Sequence, residues 1–243
     1  MLLPLLRQWG EQLLNLVYPP HCVFCKTATS SGREVICPAC RATAKRVLPP
    51  FCQVCSRPFD GVVTSEFTCP RCRETPPLFD CAVTAYRSDT VVREAIHRFK
   101  YNGDYYLRHL LAEWLLEAWN DPRLCNPRPD GIVAVPLHPA RRRARGFNQS
   151  AILAKIVSQQ TGIPIVTGLQ RIRFTPSQTQ FQREKRIENL RFAFKMRQTA
   201  TVQNRHLLLI DDVFTTGSTV HECARALKAA GAASVRVATV ARG

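Results

Sequence analysis

The chain has 243 residues, room for one ordinary core and a smaller module beside it. Its apolar fraction of 45% excludes a disordered chain, and no run is long and apolar enough to cross a bilayer. Lys and Arg number 34 against 18 Asp and Glu, a net charge of +16, which predicts anionic partners, polyphosphates or nucleic acid, and binding that weakens with salt.

The first 20 residues carry Leu2, Leu5, Leu6, Trp9, Leu13, Leu16 and Val17 near helical spacing. Pro4 and Arg7 interrupt the leucines, and there is no basic start or small-residue cleavage site, so a signal peptide is not expected. The expectation is an amphipathic helix over 1–20 in a cytoplasmic protein. Residues 21–75 then hold four C-x-x-C pairs: Cys22/Cys25, Cys37/Cys40, Cys52/Cys55 and Cys69/Cys72, separated by eleven, eleven and thirteen residues. Each pair places two thiolates on one side of a tight knuckle, and two knuckles complete a tetrahedral four-sulfur site. Two zinc ions are expected, with redox dithiols as the rival reading. With no open coordination position they are structural and supply folding energy to a segment poor in apolar residues. Sequential pairing is the simplest assignment, and a crossed arrangement stays open. Cys81, Cys125 and Cys223 stand alone and read as packing residues.

Pro76-Pro77 separates this module from the third region, 76–243. Phe79–Tyr86 reads as a strand, and Val91–Tyr101 and Tyr106–Trp119 as helices joined by a turn at Asn102-Gly103-Asp104. The first helix ends in His97-Arg98-Phe99-Lys100-Tyr101. Lys100 there is either a solvated cation at a helix end or a phosphate contact.

From Pro129 strands and helices alternate, which argues for a parallel sheet with helices on both faces. Gly131–Val135, Ile163–Val166, His206–Ile210 and Ser234–Val240 read as strands; Asn148–Gln160 and Thr219–Ala230 read as helices. Leu137–Gly146 reads as a basic loop carrying Arg141, Arg142, Arg143 and Arg145. In LLLIDDVFTTGST two acids stand at the carboxyl end of a strand, followed by a hydroxyl-rich loop opening a helix. Ligands of open α/β sheets bind beyond such ends. Backbone N–H groups from Thr215 through Thr216, Gly217 and Ser218 to Thr219 suit a phosphate, and Gly217 permits close approach or positive φ. Within a regular strand Asp211 and Asp212 point to opposite faces, so both reach one ligand only where the strand has ended. There they suit neighbouring ribose hydroxyls.

This loop resembles the sugar-phosphate loop of type I phosphoribosyltransferases. The similarity extends through AIHRFKYNGD, AVPLHPARRRARGFNQSAILA, RIRFTPSQTQFQREKRIENLRFAF and LLLIDDVFTTGSTVHECARALKAAGA, which with the cysteine knuckles resemble successive blocks of the ComF family, GntX-type proteins included. The resemblance implies a type I phosphoribosyltransferase-like α/β domain behind a double zinc-ribbon module. It implies phosphoribosyl pyrophosphate with Mg2+ as ligand: the 5-phosphate at Thr215–Thr219, the ribose at Asp211 and Asp212, the pyrophosphate facing Arg141, Arg142 and Arg145. It further implies a flap over Thr175–Asn189, with Arg183, Lys185 and Arg186 meeting departing charge. Displacement at the anomeric carbon would need positioning and electrostatics more than a general base.

Arg242-Gly243 follows the last predicted strand directly, so any acceptor site is expected from the zinc module or the Phe79–Asn120 region. Whether turnover occurs is open, since function belongs to the site and not the fold. Members of the family are associated with uptake of single-stranded DNA in natural transformation. Phe147, Phe174, Phe181, Phe192 and Phe194, interleaved with Arg/Lys clusters, would stack bases there, or else pack a core. The reading favoured is a DNA-uptake factor that handles single-stranded DNA and keeps a working phosphoribosyl-pyrophosphate pocket, with possible contacts to the uptake machinery. The alternative is a phosphoribosyltransferase acting on a small-molecule acceptor, without a role in uptake.

Overall fold

The computed structural model describes residues 20–29, 34–61, 63, 66–173, 190–197 and 202–243. The helix expected over 1–20, the flap over Thr175–Asn189 with Lys185, and Phe174 and Phe181 lie outside the described residues, apart from Pro20.

Four strands form a parallel sheet in the order β1-β6-β5-β2: β1 Cys81–Arg87, β2 Gly131–Ala134, β5 His206–Phe214 and β6 Ser234–Arg242. The two nine-residue strands are central and pair from His206↔Ser234 to Phe214↔Arg242. Burial on both faces explains their near-continuous apolar runs. Ile163–Val166, expected as a strand, contributes an isolated parallel bridge, Ile132↔Ile165, beside β2. Side chains alternate along each strand. Leu208, Ile210, Ala238 and Val240 therefore face one core, and Leu207, Leu209, Val235 and Val237 face the other.

The first core is covered by three helices, numbered in chain order after two short ones in the cysteine module, α1 Pro38–Ala42 and α2 Pro70–Glu74. They are α3 Thr90–Tyr101, α4 Arg108–Trp119 and α7 Gln149–Thr161; a 3-10 turn, Tyr105–Leu107, joins α3 to α4. Trp114, Phe99, Leu111 and Leu153 are fully buried there, each contributing roughly 1.5–3 kcal/mol by leaving water. α5 Pro122–Cys125 leads into β2. The second core is covered by α8 Ser218–Ala229 and by an antiparallel ribbon, β3 Leu169–Arg171 with β4 Phe194–Met196.

The stretch Leu137–Gly146 is not a plain loop. Pro139–Arg145 forms a helix, α6, because His138 caps it by accepting from the Ala140 N–H at 3.2 Å, Pro139 occupies the first turn, and Gly146 ends it at φ 83°. Arg142, Arg143 and Arg145 stand in its last turn, where cations complement the dipole. β5 also runs four residues past Ile210, so both acids lie within the paired strand.

The cysteine module lies against both cores. Its second half is tied to β1 and α5 by bonds to main-chain carbonyls: Ala82 N–H donates to the Val54 carbonyl (2.8 Å), the Ser56 hydroxyl to the Ala82 carbonyl (2.7 Å) and the Arg123 guanidinium to the Gln53 carbonyl (2.8 Å). Its first half meets α3 and α4 through side chains, Arg98 donating to the Val23 carbonyl (2.7 Å) and Arg41 pairing with Glu113 (2.6 Å). Among the described residues no helix is long and apolar enough to cross a membrane.

Candidate functional site

Asp211 and Asp212 are 8% and 3% exposed at the carboxyl half of β5. Each is held by a different helix. The Ser150 hydroxyl, in the first turn of α7, donates to Asp211 at 2.8 Å, and the Asp212 N–H donates to the same oxygen at 3.0 Å. Asp212 is ion-paired with Lys100, in the last turn of α3. The geometry is not that of an open pair of acids beyond the strand: both carboxylates are buried and engaged, by two helices that cover the first core.

Their electrostatics diverge for the same reason. Burial, reinforced by the charge on Asp212, pushes the Asp211 carboxyl up to about 7, against the pull of Lys100 and the Ser150 bond. Burial acts on Asp212 too, but the Lys100 ammonium outweighs it and holds that carboxyl below its ordinary value. The pair therefore shares one ready negative charge and one that forms near neutrality.

Thr215–Thr219 follows directly. Gly217 caps α8 at φ 79°, and a β-carbon there would come within 2.6 Å of the Phe214 ring, so neither backbone nor space admits a side chain. Thr216 and Ser218 hydroxyls meet at 2.9 Å, and the Ser218 N–H points to Thr216 Oγ1 at 3.4 Å. The first N–H groups of a twelve-residue helix lack intrahelical partners and carry its positive end. This is the chemistry of a phosphate cradle.

Of the arginines expected nearby, Arg145 is closest to the acids in effect, lowering Asp212 electrostatically. It also donates to Gln149 Oε1 at 2.5 Å and lies 5.0 Å over the Tyr101 ring. Arg141 and Arg142 stand with it on α6. Sequence reasoning missed Ser150, whose signal was its place one turn into a helix opening beside the sheet. Tyr101, in the cluster noted at the end of α3, is 65% exposed, and beside it stand two exposed tyrosines that sequence reasoning did not single out, Tyr105 and Tyr106, at 44% and 40%. Phe194 is core at 2%, Phe147 packs on Phe99 at 5.1 Å, and Phe192 is exposed.

The eight cysteines gather in sequential sets, Cys22, Cys25, Cys37 and Cys40, and Cys52, Cys55, Cys69 and Cys72, with ligand atoms within 4.8 Å of one another in each. Tetrahedral zinc with Zn–S near 2.3 Å sets sulfurs about 3.8 Å apart, so four thiols at this spacing fit the ion. The remaining three cysteines lie apart from both sets; Cys81 and Cys223 are buried.

Comparison with known proteins agrees with this division. Residues 13–76 match the family described as Double zinc ribbon domain, and 148–243 match Phosphoribosyl transferase domain. The chain is 34% identical to the DNA utilization protein YhgH of Escherichia coli K12, over 91% of this chain and 96% of that protein. Competence protein F of Haemophilus influenzae is 27% identical with the same coverage, and Competence protein ComFC of Bacillus subtilis is 26% identical over 86% and 85%. Among solved structures, a glutamine phosphoribosylpyrophosphate amidotransferase from B. subtilis is 21% identical over 54% of this chain and 25% of its own, with a TM-score of 0.35. With a double zinc ribbon in front of a phosphoribosyltransferase-like parallel sheet, and relatives similar along nearly all of its length, the chain belongs to the ComF family.

Proposed function

We propose that this protein is a cytoplasmic factor for DNA uptake in natural transformation, which handles single-stranded DNA and binds phosphoribosyl pyrophosphate with Mg2+. The observation that carries the reading is the buried acid pair on β5 leading into the Thr215–Thr219 cradle, with Lys100 poised across Asp212. The 5-phosphate takes the cradle N–H groups and hydroxyls, and Asp211 and Asp212 accept from the ribose hydroxyls. For the ribose to enter, Lys100 must give up Asp212. It then meets the incoming pyrophosphate, as Arg141, Arg142 and Arg145 on α6 do. The exchange keeps every buried charge partnered. Mg2+ comes with the ligand and neutralises its pyrophosphate oxygens.

The DNA role rests on the relatives' names, on the excess of positive charge and on the tyrosines. Arg108 lies 4.2 Å over Tyr105 and Arg145 5.0 Å over Tyr101, pairing cations with exposed rings. Such pairs stack bases and neutralise phosphates without reading sequence. The zinc ions are structural, one in each cysteine set.

The test is calorimetric titration of phosphoribosyl pyrophosphate into zinc-loaded protein, with and without Mg2+, beside the Asp211→Asn/Asp212→Asn variant. Magnesium-dependent binding that the variant loses is expected; no binding by folded wild type refutes the pocket. Oligonucleotide binding measured across salt concentrations tests the second half, with a steep loss expected. Loss of uptake in a deletion strain separates this reading from a phosphoribosyltransferase unrelated to DNA.

A further inference from the structure

A cavity of about 350 Å³ lies between the second cysteine set and the start of α8. Three distant parts of the chain enclose it: Arg71 and Thr75 from the end of the module, Phe214 and Arg242 from the strand ends, and Ser218 and His221 from α8. Asp211, Asp212, Lys100 and Ser150 do not line it, so it is a space apart from the acid pair, meeting it only at Thr216–Ser218. Its size falls in the range of small-molecule sites, roughly 300–1,000 Å³, and exceeds what a lone phosphate needs.

The lining specifies a ligand class. Phe79 and Phe214, both buried, stand edge to face with centroids 5.8 Å apart, a wall for a flat ring. Arg242 covers Phe214 at 4.8 Å and is anchored by donating to the Cys55 carbonyl at 2.5 Å. Arg71, Arg191 and Arg242 line it together with Cys55 and Cys72 of the second cysteine set and with Glu222, a carboxylate that already accepts from Arg225 and from the Phe192 N–H, each at 2.8 Å. The Arg71 guanidinium has no hydrogen-bond or ion-pair partner among the described residues. His221 accepts from the Leu78 N–H through Nδ1 at 3.3 Å, which places its proton on Nε2. Burial lowers its pKa, with Glu222 opposing and Arg225 and Arg71 assisting, so His221 presents a neutral N–H donor.

A flat apolar wall, a neutral donor and a half-buried guanidinium with no partner among the described residues together fit a heterocycle that carries both acceptor atoms and an anion. We propose that this cavity binds a nucleoside monophosphate, its base against Phe79 and Phe214 beside His221 and its phosphate at Arg71. The site does not depend on the sugar-phosphate reading of the acid pair.

The experiment titrates AMP, GMP, CMP and UMP, up to millimolar concentration, into the full zinc-loaded chain and three variants. Arg71→Gln removes the charge proposed to hold the phosphate, Thr75→Trp fills the space from its exposed rim, and Asp211→Asn/Asp212→Asn removes the ribose acids. At least one nucleotide is expected to bind the wild type, about tenfold more weakly after Arg71→Gln, not at all after Thr75→Trp, and unchanged in the acid variant. Nuclear Overhauser contacts between base protons and phenylalanine ring protons are expected in the bound state. The proposal is overturned by failure of all four to bind, by binding that survives both cavity variants, or by binding lost only with the acids. A bound nucleotide without phenylalanine contacts, or a nucleoside or inorganic phosphate binding as tightly as the nucleotide, overturns it too. Phosphoribosyl pyrophosphate titrated separately with Mg2+ reports on the acid pair, so either reading can fail while the other stands.

Discussion

The two cysteine sets share ligand chemistry and C-x-x-C spacing, yet they are joined to the site by different physics. In the second set all four cysteines are buried; in the first, Cys25 is exposed and Cys40 half-buried. The second set reaches the phosphate loop through a buried chain: the Cys55 carbonyl accepts from Arg242, Arg242 covers Phe214, and Phe214 packs on Gly217. The first set reaches the acids along one helix: Arg98 donates to the Val23 carbonyl, and two residues on Lys100 pairs with Asp212. The second link therefore runs through buried groups alone, while the first passes through the part-buried Arg98 before reaching the buried ion pair, and the two tolerate damage differently.

The largest difference is expected from breaking one set at a time. Cys55→Ser should release one zinc and cost about 4–5 kcal/mol or more, the range of lost metal sites. Phosphoribosyl pyrophosphate binding should go with it. Cys25→Ser should weaken one zinc while leaving the unfolding midpoint of the α/β domain and its ligand binding near wild type. Zinc content by mass spectrometry, with thermal melts and calorimetry on the same samples, checks both. Equal losses from the two variants would break the comparison.

Next in size is Lys100→Met, which leaves Asp212 buried without its cation. Removing one partner of a buried pair costs about 3–5 kcal/mol unless the survivor takes a proton, and Asp212 should take one as its pKa rises. Urea unfolding at neutral pH, repeated on Lys100→Met/Asp212→Asn, should show most of the loss recovered in the double variant.

A smaller contrast separates two arginines of the links themselves. Arg242→Met strands the Cys55 carbonyl in the interior, a cost of about 1–3 kcal/mol. Arg41→Met removes an exposed pair with Glu113 and should cost no more than about 1 kcal/mol. Denaturant midpoints decide it, and a larger effect at Arg41 would reverse the assignment of which link is rigid.

Much of this was legible in the sequence, for identifiable reasons. Apolar runs marked the central strands because burial on both faces leaves no polar alternation to hide them, and the spacing of Ile152, Leu153, Ile156 and Val157 marked α7, with Gly162 at its end. The cysteine spacing announced two four-sulfur sites. Nearly equal gaps could not pair the knuckles; only tertiary placement does. The helix α6 was missed because an arginine-rich stretch has no apolar period, although Pro139 and Gly146 punctuate it. The reach of β5 was underestimated because two acids looked like an ending. Pairing with β6 carries the strand through them. Arg242 and Cys55 are 187 residues apart, and a contact of that kind, like the cavity it borders, leaves no local trace.

The smallest effect is a pH dependence that sets the acid site apart from both metal sets. The folded-state pKa of Asp211, about 7, stands above its unfolded value near 3.9, so its stabilising contribution is complete in acid and is lost as pH rises through that window. Asp212, held low by Lys100, runs the other way: its contribution is present above the ordinary carboxylate value and is lost as pH falls below it. Ribose hydroxyls donate to carboxylates, so ligand binding should draw on the ionised form of Asp211 and strengthen between pH 6 and 8. The gain should be at most about tenfold per unit, or 1.4 kcal/mol. Ser150→Ala removes a bond that favours the charged form and should move the midpoint of that rise upward. The ligand's own phosphate ionisation also strengthens binding with pH, and Asp211→Asn isolates it. A profile in Asp211→Asn as steep as in wild type would assign the whole dependence to the ligand and leave Asp211 ionised throughout.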